Sequence, residues 1–170
     1  MRWVTRERLH VDRTACPWLI RRFVDPAAEF AFVPPGTDPR TVNGTTFDMP
    51  DADYGHEGVK CTFEVIVERH GLDHDPALVE MGRIIRDADV PYSRVRCPES
   101  AGLDAIVTGL RETVPDDYDK LRLTAPLYDA LYAYCRLKVA NGRRAAGPGR
   151  PKLRYARRVA AHLAGQDEVG

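Results

Sequence analysis

With 170 residues, 44% of them hydrophobic and 29% charged, the chain has the material for one domain with a single core, or one domain plus a tail. No apolar run approaches the roughly 18 to 20 residues of a bilayer-spanning helix, and the opening MRWVTRERLHVDR is too charged for a signal peptide, so a cytoplasmic protein without membrane insertion is expected. The net charge of zero hides an asymmetry: residues 141–170 carry seven Lys/Arg against Asp167 and Glu168, a balance of +5 that leaves −5 on residues 1–140.

In chain order, RWVTRER alternates as a short strand, with Trp3 and Thr5 on one face and Val4 and Arg6 on the other. DRTACPWLIRRFVD follows as a helix that Asp25-Pro26 stops, because a residue before proline disfavours the helical conformation. EFAFVP reads as a strand ended by Pro34-Pro35, NGTTFDMP as a turn into another strand, and DADYGHEG as a polar loop. From residue 61 the pattern is helical. CTFEVIVERHG closes on Gly71, and DPALVEMGRIIRDAD opens with Asp75 as N-cap and Pro76 at the first position. ESAGLDAIVTGLRETV places Leu103, Ile106, Val107, Leu110 and Val114 on one buried stripe. A last long helix is expected from Thr124 to about Val139, then a linker, NGRRAAGPGRP, and a short basic helix, KLRYARRVAAHLAG. The expected architecture is α+β, a small N-terminal antiparallel sheet packed with four to five helices, over residues 1–140, with a basic linker and tail over 141–170. A mainly α bundle with an N-terminal hairpin is the alternative.

The four cysteines form no C-x-x-C pair, which excludes a zinc ribbon and a thioredoxin-type motif. Cys135, inside LYDALYAYCRLKV, reads as a small buried hydrophobe. Pro17 is a natural first helical residue, which would make Cys16 the N-cap, its sulfur beside N–H groups without helical partners. That position favours a thiolate or a bound anion, with Arg13 before it and Arg21 and Arg22 a turn further on. The same spacing fits a structural cap, with Trp18, Leu19 and Phe23 in the core and the arginines in solvent.

GHEGVKCTFE gathers His56, Cys61 and Glu64, and imidazole, thiolate and carboxylate are the side chains that bind a divalent first-row metal. The spacing is not a specific signature, and Cys61, Glu64 and Glu68 also read as the solvated face of a helix. In GRIIRDAD, Arg83, Arg86 and Asp87 lie off the apolar stripe, where surface ion pairs are expected. No G-x-S-x-G, P-loop, dinucleotide or H-E-x-x-H motif exists, which removes the commonest enzyme classes. The basic tail carries Tyr155 among its arginines, but no base-reading module precedes it, so nucleic-acid binding is not expected without an additional domain.

WVTRERLHVDRTACPWLIRRFVDPAAEFAFVP resembles the C-terminal domain of the chromate-resistance regulators of the ChrB family, and the likeness continues through FDMPDADYGHEGVKCTFE, IIRDAD, ESAGLDAIVTGL and LYDALY, roughly residues 2–135. The resemblance implies a cytosolic protein tied to chromate exposure and functionally linked to a chromate efflux transporter. Full-length members carry a further N-terminal region, the expected site of DNA binding, which this chain is expected to lack. The family motifs fall on Asp12, Arg13, Cys16, Pro17, Trp18, Arg21 and Arg22, and on His56, Gly58, Cys61 and Phe63. Taken together, a domain is expected that binds or senses an oxyanion, chromate, through Arg13, Trp18, Arg21, Arg22 and Arg86. Cys16 and Asp12 are its candidate reactive groups, and His56, Cys61 and Glu64 its metal ligands; the thiolate favours Zn or Fe over Mn. The alternatives are a small metal-dependent enzyme of unknown substrate and a basic-tailed accessory protein binding nucleic acid or an acidic partner.

Overall fold

The structure, a computed structural model, describes residues 1–145. Met1–Arg136 forms one compact unit, and a second begins at Leu137, of which the described residues are helical. The basic helix expected at KLRYARRVAAHLAG lies outside the described residues. Among the described residues no helix is long and apolar enough to cross a membrane.

Three strands, β1 (Arg2–Arg6), β2 (Glu29–Val33) and β3 (Thr45–Thr46), form a sheet in the order β2-β1-β3, both pairings parallel. The α+β class holds, but the antiparallel sheet and the alternative's hairpin do not. A hairpin needs a tight turn, whereas the chain between β1 and β2 contains a whole helix, α1 (Val11–Leu19), and such a crossover returns the chain to run parallel. As the central strand β1 is covered on both faces, so Trp3, Val4 and Thr5 are all buried where an inside-outside alternation is expected.

Four more helices follow among the described residues: α2 (Thr62–Arg69), α3 (Pro76–Asp89), α4 (Ser100–Thr113) and α5 (Asp117–Ala145). Helix α1 packs against α2, α3 and α4 and is buried along nearly all its length. It starts six residues before Pro17. His10 is its N-cap, in extended conformation, and Thr14 N–H closes the first turn on the His10 carbonyl at 2.9 Å. Pro17 therefore sits inside the helix, where it removes the bond to the Arg13 carbonyl. The chain leaves α1 through a π-helical turn, Ile20–Val24, closed by Asp25 N–H on the Ile20 carbonyl at 2.7 Å before Pro26 ends it.

The ends of the middle helices fall where the sequence places them. Gly71 takes a left-handed φ of +63° after α2, and the Asp75 carboxylate accepts from Ala77 N–H at 2.8 Å ahead of Pro76. On α4, Leu103 and Val107 are buried but Ile106 is exposed, so the stripe is narrower than the pattern suggests. Helix α5 begins at Asp117, not Thr124, takes Pro126 within its length and continues past Val139 to Ala145, into the first residues of the expected linker. Its buried side includes Leu121, Thr124, Tyr128 and Cys135. Tyr128 locks it to α1: the hydroxyl donates to the Val11 carbonyl at 3.0 Å and lies 2.6 Å from the Thr14 hydroxyl. Replacing Tyr128 by Phe keeps the ring but leaves these oxygens without that partner. A loss of about 1–2 kcal/mol in urea unfolding is expected, and an unchanged midpoint would show that the lock contributes nothing.

Candidate functional site

Asp12 is the second residue of α1 and is fully buried. Its carboxylate accepts the N–H of Thr62 at 2.7 Å and of Phe63 at 3.0 Å, the first donors of α2, so a negative charge meets the positive end of that helix. The Cys16 thiol, one turn on, donates to the same carboxylate at 3.3 Å. From the polar loop before α2, His56 Nε2 lies 3.3 Å from Asp12 and 3.2 Å from Asp48. Asp48 accepts from the Thr62 hydroxyl at 2.8 Å, sits 3.5 Å from Arg13 Nη1, and holds this position with a left-handed φ of +47°, a conformation Asp tolerates better than most residues. At the end of α3, Asp89 accepts from Asp12 N–H at 3.2 Å and lies 3.2 Å from His10, whose other ring nitrogen is 3.1 Å from Asp104 on α4. Four helices meet in this knot of charge.

Burial pushes Asp12 up to about 6 against the pull of the His56 bond, and the charges of Asp48 and Asp89 add to the rise. Asp48 is also buried, but the bond from His56, the charge of Arg13 and the Thr62 hydroxyl outweigh that, and it is held below the usual carboxylate range. Hydrogen bonds to Asp12 and then Asp48 raise His56 to about 10 against partial desolvation, so it is an imidazolium at neutral pH.

This arrangement redistributes the residues expected at the site. Cys16 is not an N-cap: the helix starts at Val11, and Cys16 is buried in its second turn, where desolvation and the neighbouring acids push the thiol well above its ordinary range. The expected thiolate at a helix end is absent there. Cys61, not Cys16, caps a helix, and with Glu64 it forms the capping box of α2, the Glu64 carboxylate accepting from Cys61 N–H at 3.2 Å. Glu64 also lies 3.5 Å from Arg86. Cys61 and Glu64 are thus committed to the helix start, and the Cys61 thiol is pushed up by burial, then by Asp12 and Glu64. Among the described residues, the set whose ligand atoms lie within 4.8 Å of one another is Asp12, His56 and Asp89. Asp48, Asp89, Asp104 and His10 escaped the sequence reading; loop and helix-end acids carry no spacing signal, and only the topology brings them together.

The expected anion-binding set is likewise divided. Arg13 and Arg86 pair with Asp48 and Glu64. Trp18, Arg21 and Arg22 instead line a cleft of about 200 Å³ with Thr14, Pro17, Leu121, Ala125 and Asp129. The Trp18 indole N–H donates to Asp129 at 3.0 Å, and Arg22 lies 3.6 Å from the same oxygen. Arg21 stacks over Phe30, 4.8 Å from the ring centre, with its Nε–H on the Ala28 carbonyl at 3.3 Å.

A short parallel sheet packed with helices, a mostly acidic charge cluster around Asp12 and an arginine-lined cleft beside Trp18 define a small α+β domain. The chain belongs to the family described as ChrB, C-terminal domain, whose profile matches residues 3–135. It is 38% identical over 134 residues to Protein ChrB of Cupriavidus metallidurans, a match that covers 78% of this chain and 40% of that protein. The chain thus spans less than half the length of that relative. No solved structure matches it.

The folded pKa of His56, about 10, lies above its ordinary 6.5, so the imidazolium contributes its full stabilisation below about pH 6.5 and loses it as pH rises to 10. In metal-free buffer, urea stability is expected to fall across that window in the wild type and to be flatter in His56→Gln. Parallel profiles would show that His56 is not held as a cation.

Proposed function

We propose that this chain is the ligand-responsive domain of a cytosolic chromate-resistance protein, and that the cleft beside α1 takes a small oxyanion, with chromate as the physiological case. The observation that carries the reading is the convergence of Arg21, Arg22 and the Trp18 indole N–H on one cleft. A tetrahedral dianion is bound by such donors, guanidinium groups giving charge-assisted bonds and the indole N–H direction. The ChrB relationship supports chromate as the anion and a chromate efflux transporter as functional partner. Transcriptional output, in this reading, comes from a segment that the matched region does not include. Burial of Cys16 and Cys61, which pushes both thiols well up, argues against their acting as a reductase: binding without turnover is the activity assigned. Sulfate serves as a redox-inert probe for chromate. Arg21→Ala combined with Arg22→Ala is expected to weaken sulfate and chromate at least about tenfold by calorimetry at fixed ionic strength, while Arg13→Ala leaves the affinity of the folded protein within about twofold. Unchanged affinity in the double variant would overturn the assignment.

A second reading has its own observation. Asp12, His56 and Asp89 converge closely enough to hold a divalent cation, which would replace the proton on His56. Their nitrogen and oxygen donors suit Zn, Fe or Mn, since the preference against Mn rested on a thiolate that this set does not contain. Elemental analysis of wild type and Asp89→Asn, each equilibrated with Zn, Fe(II) and Mn and then desalted, tests it. Near-stoichiometric metal lost in the variant is the expected result, and a metal-free wild type would overturn it.

A further inference from the structure

We propose that Asp129 is a built-in competitor for the anion in this cleft, its carboxylate standing where an oxyanion stands between Trp18 and Arg22, so that it sets the affinity and holds down the preference for doubly charged ligands. The inference rests on the oxyanion reading of the cleft. One oxygen of Asp129 serves two donors, the indole N–H at 3.0 Å and the Arg22 guanidinium at 3.6 Å. That is the contact an oxygen of a bound dianion would make.

The two partners are held very differently. The Trp18 ring is buried and packed at 5.7 Å from Phe23, 5.7 Å from Tyr132 and 6.3 Å from Tyr128, so its N–H stays aimed at the cleft whatever accepts from it. The carboxylate is half exposed on the outer side of α5, while Tyr128 beside it anchors the helix to α1. Asp129 can therefore swing into water by a change of rotamer, with no movement of the helix, and leave a preorganised donor behind.

The carboxylate also discriminates by charge. Displacing it costs the same whichever anion enters, so that cost does not distinguish ligands. The displaced carboxylate stays nearby, however, and repels a dianion about twice as strongly as a monoanion. Neutralising Asp129 should then tighten every anion, and dianions more.

The test titrates wild type, Asp129→Asn, Asp129→Ser and Arg22→Gln with sodium sulfate and with sodium nitrate, at ionic strength held constant by chloride, and reads tryptophan emission. Trp18 and Trp3 are the two indoles, and Trp18 lines the cleft whereas Trp3 does not, so the response belongs to Trp18. Circular dichroism and unchanged unfolding midpoints establish the fold of each variant. Both Asp129 variants are expected to lower the sulfate Kd about three- to tenfold and to widen the sulfate-over-nitrate preference, and Arg22→Gln to raise the sulfate Kd. Sulfate binding in the Asp129 variants but not in the wild type would support the competitor in its strongest form. Sulfate binding that needs Arg22 but is unchanged or weaker without Asp129 overturns the competitor and leaves the oxyanion reading standing. No sulfate binding in any of the four proteins overturns both.

Discussion

The buried carboxylate of Asp12 is the constraint on which the rest of this molecule turns. A carboxylate taken out of water loses several kcal/mol of solvation unless its oxygens are satisfied and its charge is matched. Here two N–H groups at the start of α2, the Cys16 thiol and the His56 imidazolium supply that match. The consequence reaches beyond the site. Because those donors come from α1, α2 and the loop between β3 and α2, satisfying Asp12 fixes how the helical layer sits, and Asp48 must adopt its left-handed backbone to share the histidine.

The residues of α1 divide by helical geometry. Asp12 and Cys16, four apart, face the knot, whereas Thr14, Pro17, Trp18 and Arg21, at positions i, i+3, i+4 and i+7, face the cleft. The helix therefore borders a mostly acidic cluster on one side and, with the turn that follows it, an arginine-lined, open cleft on the other. The two are suited to opposite ligands: a small anion has no place among Asp12, Asp48 and Asp89, and a divalent cation has none beside Arg21 and Arg22.

Much of the fold was legible in the sequence because local chemistry announces it. Asp75-Pro76 and Gly71 mark helix ends by mechanisms that work within a few residues, and the apolar patterns of α2 and α3 face the core as their spacing requires. What failed was decided by tertiary structure. Pro17 suggests a helix start on its own, but burial of the preceding turn against α2 and α3 outweighs one lost backbone bond, and the N-cap moves to His10. With it moves the meaning of Cys16. His56 stood out as a candidate from its loop, yet its neighbours Asp12, Asp48 and Asp89 lie on three different segments, and only the fold joins them. Trp18, Arg21 and Arg22 were read as an anion-binding group from one helix; their partner Asp129 comes from α5, in a stretch that looks like an ordinary amphipathic helix.

The central claim is that an oxyanion enters the cleft and not the knot, and a heteronuclear NMR titration tests it most directly. Amide and indole ¹H–¹⁵N shifts of the wild-type protein would be followed while sulfate is added at constant ionic strength. The account predicts saturable shifts at the Trp18 indole and at the amides of Arg21, Arg22 and Asp129, with Thr62, Phe63 and His56 unmoved. Shifts centred on Thr62, Phe63 and His56, with the Trp18 indole silent, would contradict it and place the anion at the start of α2.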